Sequence, residues 1–178
     1  MPRRHLTATE IAEARLVFGA GLNYRRAGVV ENTKFPNLIA RLGGAPRPNA
    51  VTLGNTSYFP ETLRTSAEVI ANGDLRAMAW LIHELVHQWQ YQHTGWQYLA
   101  RSSWVQVREG QRGYRYEIEA GRRLADYNME QQGDIARDYY CALKTGWNCM
   151  RAARRDPDEW ELLIRELRLP RGASLSED

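Results

Sequence analysis

The sequence predicts an α+β domain with a small N-terminal sheet and a helical C-terminal half. Glycine, proline and β-branched residues dominate from residue 19 to about residue 60, whereas helical periodicity dominates from about residue 74 onward. The 178 residues are enough for one hydrophobic core and too few for two. We therefore expect a single domain over residues 1–169, followed by a disordered tail over residues 170–178.

The N-terminal third predicts one helix followed by a hairpin. The segment TATEIAEARLVF indicates a helix, because Thr7 and Glu10 have the spacing of a capping box and the apolar residues follow roughly helical periodicity. After Gly19 this periodicity is lost. The stretch VTL-GN-TSYF then indicates a hairpin, with Gly54 and Asn55 as its two-residue turn.

The rest of the chain predicts three further helices. Asp74 is the expected N-cap of a helix that ends near Thr94. Helical signals return over residues 119–145. The segment DPDEW predicts the start of a last helix, with Asp156 as its N-cap and acidic residues in its first turn.

Composition excludes two function classes. The net charge of +3 is small and the basic residues are scattered among acids, so nothing indicates a nucleic-acid partner. No apolar run approaches the roughly 20 residues that span a bilayer, and no secretory signal is visible. We expect a protein that is soluble and cytoplasmic as encoded. The two cysteines, Cys141 and Cys149, fit either free thiols near a helix end or a local disulfide.

The segment MAWLIHELVHQWQYQH carries three of the four histidines of the chain. On a helix at 100° per residue, His83 and His87 lie about 40° apart, opposite the apolar side. Two imidazoles one turn apart can bind one metal ion, and Glu84 is beside them, where it can accept a proton from water. The alternative interpretation is that both histidines are solvated. The H-E-x-x-H pattern favours a metal site with Glu84 as catalytic base.

Zinc needs a third protein ligand, and two candidates compete. His93 has the spacing of the last histidine in H-E-x-x-H-x-x-G-x-x-H, but Gln90 stands where that motif has the glycine that turns the chain back to the metal. Glu130 and Asp134 match E-x-x-x-D, the second half of the gluzincin pattern. There Glu130 binds the metal and Asp134 orients a ligand histidine. We predict Glu130, not His93, as the third ligand.

A series of acidic residues surrounds this candidate. Its members stand four positions apart: Asp126, Glu130, Asp134 and Asp138. Like charges at that spacing destabilise a helix, and Arg122 and Arg137 can offset only part of the repulsion. The series is either a solvated acidic face or a face whose repulsion a divalent cation offsets.

Four segments in this order resemble a known group of domains: LTATEIAEARLVFG, NAVTLGNTSYFP, LIHELVHQWQYQHTG and YNMEQQGDIARDYY. They resemble bacterial zincin-like domains of the Vgr-related and Rhs-associated kind, which occur with type VI secretion spikes and effectors. The resemblance covers about residues 6–145. It implies a minimal gluzincin-like zincin fold, zinc as cofactor and hydrolysis of peptide bonds. Carried over by position, His83, His87 and Glu130 would be the ligands and Glu84 the base.

We therefore expect a zinc metallopeptidase that acts on a peptide or protein substrate, as a secretion-system effector or toxin. A secretion spike or an immunity protein would be its further partner. Tyr139 and Tyr140 are candidate donors to the oxyanion, and the sequence does not choose between them and Tyr91 or Tyr116. Two other classes stay open: a metal-dependent amidase acting on cell-wall peptides, and a non-catalytic module whose zinc stabilises a secretion complex.

Overall fold

The computed structural model describes residues 2–35, 50–96, 116–119, 121–146 and 158–173. Within these ranges the strands are β1 (Arg4–His5), β2 (Gly28–Val30), β3 (Val51–Leu53) and β4 (Thr56–Tyr58). The helices are α1 (Ala8–Phe18), α2 (Ala67–Ala71), α3 (Arg76–Thr94), α4 (Met129–Thr145) and α5 (Asp158–Arg168), with a 3-10 turn at Leu124–Asp126 before α4. The mixed α+β class predicted from the sequence is confirmed.

The described strands form one sheet in the order β1-β2-β4-β3. The outer pairs are antiparallel, whereas β2 and β4 run parallel, with Val29 opposite Ser57. The predicted hairpin is confirmed, because β3 and β4 are joined by a turn at Gly54 and Asn55 and Thr52 lies opposite Ser57. Both hairpin strands pack against α3, so the sheet supports the helix that carries the H-E-x-x-H pattern.

The start of α1 is fixed by a buried carboxylate. The predicted capping box is present: Thr7 Oγ1 accepts from the Glu10 amide, and Glu10 Oε2 accepts from the Thr7 amide. The Glu10 carboxylate is fully buried and also accepts two hydrogen bonds from Arg4, at 2.8 and 2.9 Å, and one from Thr65, at 2.7 Å. This cluster ties β1, α1 and the segment before α2 together.

Two helix starts differ from the prediction. Helix α3 begins at Arg76 with Leu75 as its N-cap, and the Asp74 carboxylate just before it bonds the Arg76 guanidinium twice at 2.9 Å and the Arg76 amide at 3.4 Å. Helix α4 begins at Met129 and not near residue 119, because Asn128 provides a strong N-cap that starts the helix there. The predicted cap Asp156 lies outside the described residues.

Helix α3 lies between the sheet and α4, and α1 and α5 complete the core. The largest fully buried side chains come from all these helices: Phe18, Leu81, Ile82, Leu85, Ile135, Tyr140 and Trp160. No helix in the described part of the chain is long and apolar enough to cross a membrane. Cys141, on α4, is disulfide-bonded, and the other cysteine of the sequence, Cys149, lies outside the described residues.

Candidate metal centre

Helices α3 and α4 bring three potential metal ligands together. The ligand atoms offered by His83, His87 and Glu130 all lie within 4.8 Å of one another. Each carboxylate oxygen of Glu130 faces one imidazole: Oε2 lies 3.4 Å from Nε2 of His83, and Oε1 lies 3.7 Å from Nε2 of His87. All three side chains are at most 12% exposed. The sequence pattern had placed the histidines away from the core face, and α4 covers them there.

The charges within this cluster support one another. Burial lowers the pKa of His83, but the carboxylates of Asp134 and Glu130 beside the ring more than offset this and raise the pKa above its usual range. Burial raises the pKa of Glu130, but the neighbouring imidazoles of His87 and His83 outweigh it and hold the pKa well below its usual range. Glu130 is therefore an ionised carboxylate at neutral pH, as a metal ligand must be.

Two adjacent residues of α4, Gly133 and Asp134, position the ring of His83. Its Nδ1 lies 3.0 Å from Oδ1 of Asp134, in a bent approach, and that oxygen also accepts from Arg137 at 2.6 Å. A Cβ atom at Gly133 would lie 2.7 Å from two atoms of the His83 ring. Only a glycine lets the ring pack this closely against the helix backbone. Asp134 therefore lies beside the ring, and the missing side chain of Gly133 leaves space for it.

A chain of amide groups fixes the ring of His87. Nε2 of Gln90 donates to the carbonyl oxygen of Met129 at 3.2 Å and to Oε1 of Gln132 at 2.9 Å. Because a carbonyl oxygen only accepts, Oε1 of Gln90 must face His87, where it lies 2.9 Å from Nδ1. In neutral His87 the hydrogen is therefore on Nδ1. The lone pair on Nε2 is directed to Glu130 and is available to a metal ion.

Glu84 is buried between α3 and the sheet, with 3% of its surface exposed. Its Oε2 accepts a hydrogen bond of 2.7 Å from the hydroxyl of Thr52 on β3. Because Glu84 follows His83 directly on α3, the hairpin and the candidate ligands meet along one helix. The sheet thus holds the carboxylate on one side, and α4 holds the imidazoles on the other.

The other sequence candidates make contacts away from this cluster. Nδ1 of His93 lies 2.9 Å from the carbonyl oxygen of Trp89, as expected where the helix continues without the missing glycine. Tyr139 lies two and a half helical turns after Glu130, so it faces the opposite side of α4, and its hydroxyl bonds Glu161 on α5. The hydroxyls of two other candidate tyrosines bond carboxylates too: Tyr140 bonds Glu13, and Tyr116 bonds Asp138. The ring of Tyr91 packs against Trp96.

The chain is similar to one known protein and to one solved domain. Over 139 residues, 77% of the chain is 35% identical to the type VI secretion system spike protein VgrG2b of Pseudomonas aeruginosa, of which it spans only 13%. The solved effector domain of Pseudomonas aeruginosa VgrG2b is 34% identical, with a TM-score of 0.62 over 80% of this chain and 75% of that one. The chain belongs to the VgrG2b effector-domain family. No known family profile matches the sequence.

Membership of the VgrG2b effector-domain family confirms the resemblance to Vgr-related domains predicted from the sequence. Three residues near the cluster escaped the sequence reasoning. Gln90 carried a signal, since it lies three positions after His87 on the same helix face. Gly133 carried another, because a glycine inside a helix costs stability and indicates close contact. Thr52 carried none, because its proximity to Glu84 arises only from the packing of β3 on α3.

Proposed function

We propose that this VgrG2b-like domain is a zinc-dependent metallopeptidase. The observation that carries the proposal is the buried cluster of His83, His87 and Glu130, with Glu84 beside the first histidine. Two imidazoles and one carboxylate are a known ligand set of catalytic zinc. Ligand atoms in a tetrahedral zinc site lie about 3.3 Å apart. The separations of 3.4 and 3.7 Å between imidazole nitrogens and carboxylate oxygens are close to that size, and the ligand atoms all lie within 4.8 Å of one another.

Each residue of the site would then have a separate role in hydrolysis. His83, His87 and Glu130 would hold zinc, which as a Lewis acid makes water a nucleophile near neutral pH and polarises a carbonyl group. Glu84 would accept the proton of the attacking water and pass it to the leaving amine. Asp134 and Gln90 would keep the two imidazoles in the orientation that binding requires, since each lies 2.9–3.0 Å from an Nδ1 atom.

The family also supports a role in secretion. The similar protein is described as a type VI secretion system spike protein, and the similar solved structure as an effector domain. We extend both to this chain as part of the proposal: an effector delivered with a secretion spike, acting on a peptide or protein in the recipient cell. Because the chain spans 13% of the spike protein, only the effector part of that protein is relevant here.

The first experiment measures zinc content by mass spectrometry in the wild type, Glu130→Ala and His93→Ala. We expect about one zinc per wild-type chain, loss in Glu130→Ala and retention in His93→Ala. His93→Ala is a matched control, because it removes an imidazole from the same helix without touching the cluster. Zinc lost from His93→Ala and kept in Glu130→Ala would contradict the ligand set.

The second experiment measures turnover on a panel that contains proteins, unstructured peptides and cell-wall peptides. Glu84→Gln has nearly the same shape as the wild type, so it should bind zinc and lose hydrolysis by at least about 100-fold. Cleavage confined to cell-wall peptides would identify an amidase instead. A Glu84→Gln variant that retains full effect in a bacterial competition assay would mean that the domain acts without catalysis.

A further inference from the structure

A chain of buried hydrogen bonds runs from the sheet to the proposed base. Nε2 of Gln88 lies 3.0 Å from the carbonyl oxygen of Gly28 and 2.7 Å from Oγ of Ser57. Ser57 Oγ lies 2.7 Å from Oγ1 of Thr52, and Thr52 Oγ1 lies 2.7 Å from Oε2 of Glu84. The four side chains that form this series of hydrogen bonds are at most 7% exposed. Water therefore does not compete for these groups.

The direction of each hydrogen bond follows from the two ends of the series, a carbonyl oxygen and a carboxylate, because both only accept. The carbonyl oxygen of Gly28 only accepts, so the group of Gln88 that faces it is the amide nitrogen, which donates to Ser57 as well. At the other end the Glu84 carboxylate only accepts, so the Thr52 hydroxyl donates its single hydrogen to Oε2 at 2.7 Å, well inside its 3.4 Å distance to the Glu84 carbonyl oxygen. Thr52 Oγ1 then accepts from Ser57, whose own oxygen accepts from Gln88.

We infer that Thr52 is a positioning residue for the base, which fixes Oε2 of Glu84 and leaves Oε1 to exchange the proton. This inference rests on the proposed function, because it assigns work to Glu84 in hydrolysis. A donor aimed at Oε2 stabilises the carboxylate in one orientation. The Thr52 hydroxyl already directs its hydrogen at Oε2 across an oxygen–oxygen distance of 2.7 Å, so Oε1 is the oxygen left for the attacking water. The carboxylate is therefore asymmetric, with one oxygen held and the other reactive.

The buried position of Glu84 on α3 and its bond from Thr52 restrict the orientation of this side chain, a restriction that a solvated glutamate would lack. A glutamate has three rotatable bonds, and each orientation other than the reactive one lowers the rate. The Thr52 bond joins the tip of the side chain to a sheet strand whose own register is fixed by pairing with Ser57. The hairpin thus contributes to catalysis through alignment of Glu84.

The test compares Thr52→Val, which has the same shape but no hydroxyl, with Thr52→Ser, which restores the donor. On the peptide that the wild type cleaves best, Thr52→Val should lower kcat by about ten-fold or more, because a hydrogen bond to a charged group is lost. KM and zinc content should stay at wild-type values, and Thr52→Ser should recover most of kcat. If Thr52→Val does not fold, Thr52→Cys keeps a weaker donor and should give an intermediate kcat.

Ser57→Ala is the matched control, because it removes a buried hydroxyl from the same chain and leaves the bond from Thr52 to Glu84. Its kcat should fall less than two-fold. If Ser57→Ala and Thr52→Val lose kcat equally, or if Thr52→Val keeps the wild-type kcat, the positioning role of Thr52 is refuted. In either case the chain would serve only to stabilise the hairpin on α3.

A second readout separates this inference from the proposed function. The infrared carboxylate band of Glu84, isolated as the difference between the wild type and Glu84→Gln in metal-free protein, reports the hydrogen bond directly. It should shift in Thr52→Val and return in Thr52→Ser. That shift in a protein that hydrolyses no peptide would leave Thr52 as the partner of Glu84 and refute the peptidase. An unshifted band in an active peptidase would refute the role of Thr52 alone.

Discussion

Replacing Gly133 by alanine is the most direct test of how the two helices form the cluster. The added methyl carbon would lie 2.7 Å from Cε1 and Nδ1 of His83 and 2.9 Å from Nε2. Ordinary contact begins at 3.4 Å, so the ring must move by about 0.7 Å. Metal–ligand distances tolerate about 0.2 Å. His83 therefore leaves its binding position, and zinc affinity should fall at least about ten-fold.

The stability of the metal-free protein gives a second prediction of the same packing. Alanine in place of glycine within a helix stabilises by about 1 kcal/mol, whereas overpacking a filled site costs about 1–3 kcal/mol. The free energy of unfolding of Gly133→Ala should therefore lie between the wild-type value and about 2 kcal/mol below it. In the background of His83→Ala the ring is absent. There the same change should raise the free energy of unfolding by about 1 kcal/mol.

Chelator competition measures the zinc affinity, and denaturant unfolding of the wild type, both single variants and the double variant measures stability. The decisive result is the reversal of sign between the two backgrounds. A Gly133→Ala variant with wild-type zinc affinity, or with the same change in stability whether or not His83 is present, would refute the packing of this ring against α4.

Two further predictions concern the amide chain and the buried carboxylate. Gln90→Leu removes the acceptor from Nδ1 of His87, so zinc affinity should fall about 10–100-fold by chelator competition, while Gln92→Ala, a change on the same helix, should keep it. Burial raises the pKa of Glu10, but the hydrogen bonds from Arg4 and its other partners outweigh this and hold the pKa below its ordinary value of 4.5. The stability from this lowered pKa is complete above about pH 4.5 and is lost as the pH falls through the folded-state pKa. Denaturant unfolding between pH 3 and 7 should therefore show a flatter acid limb in Glu10→Gln, and equal slopes would contradict the assignment.

Local signals in the sequence were sufficient where one short segment determines the structure. The capping box at Thr7 and the turn at Gly54 depend on neighbours within four residues, and both are confirmed. The H-E-x-x-H pattern likewise fixed the relation of His83 to His87, because a single helix sets it. The pairing with Glu130 needed a further pattern on a distant helix, and the structure brings these three residues together.

Local sequence signals did not predict features for which several residues are plausible helix caps, or contacts that arise only from packing between distant segments. Asp74 has the sequence signature of an N-cap, but its carboxylate bonds mainly the Arg76 guanidinium, at 2.9 Å, and reaches the Arg76 amide only at 3.4 Å. The start of α4 was placed ten residues early, because nothing in the periodicity ranks Asn128 above earlier polar residues. The contact of Thr52 with Glu84 joins residues 32 positions apart and arises only when the hairpin packs on α3.

The candidate ligands lie on two helices, α3 and α4. The cluster therefore exists only while these two helices stay packed against each other. A bound metal ion would stabilise the contact between α3 and α4. At a free concentration 100 times the dissociation constant, it adds about 2.7 kcal/mol to the stability of the folded state. Opening of α4 alone would remove Glu130, Asp134 and the space at Gly133 together, with the sheet intact. When the protein is heated without added metal, activity should therefore be lost at a lower temperature than the one at which the sheet unfolds. Added metal should bring these two temperatures together.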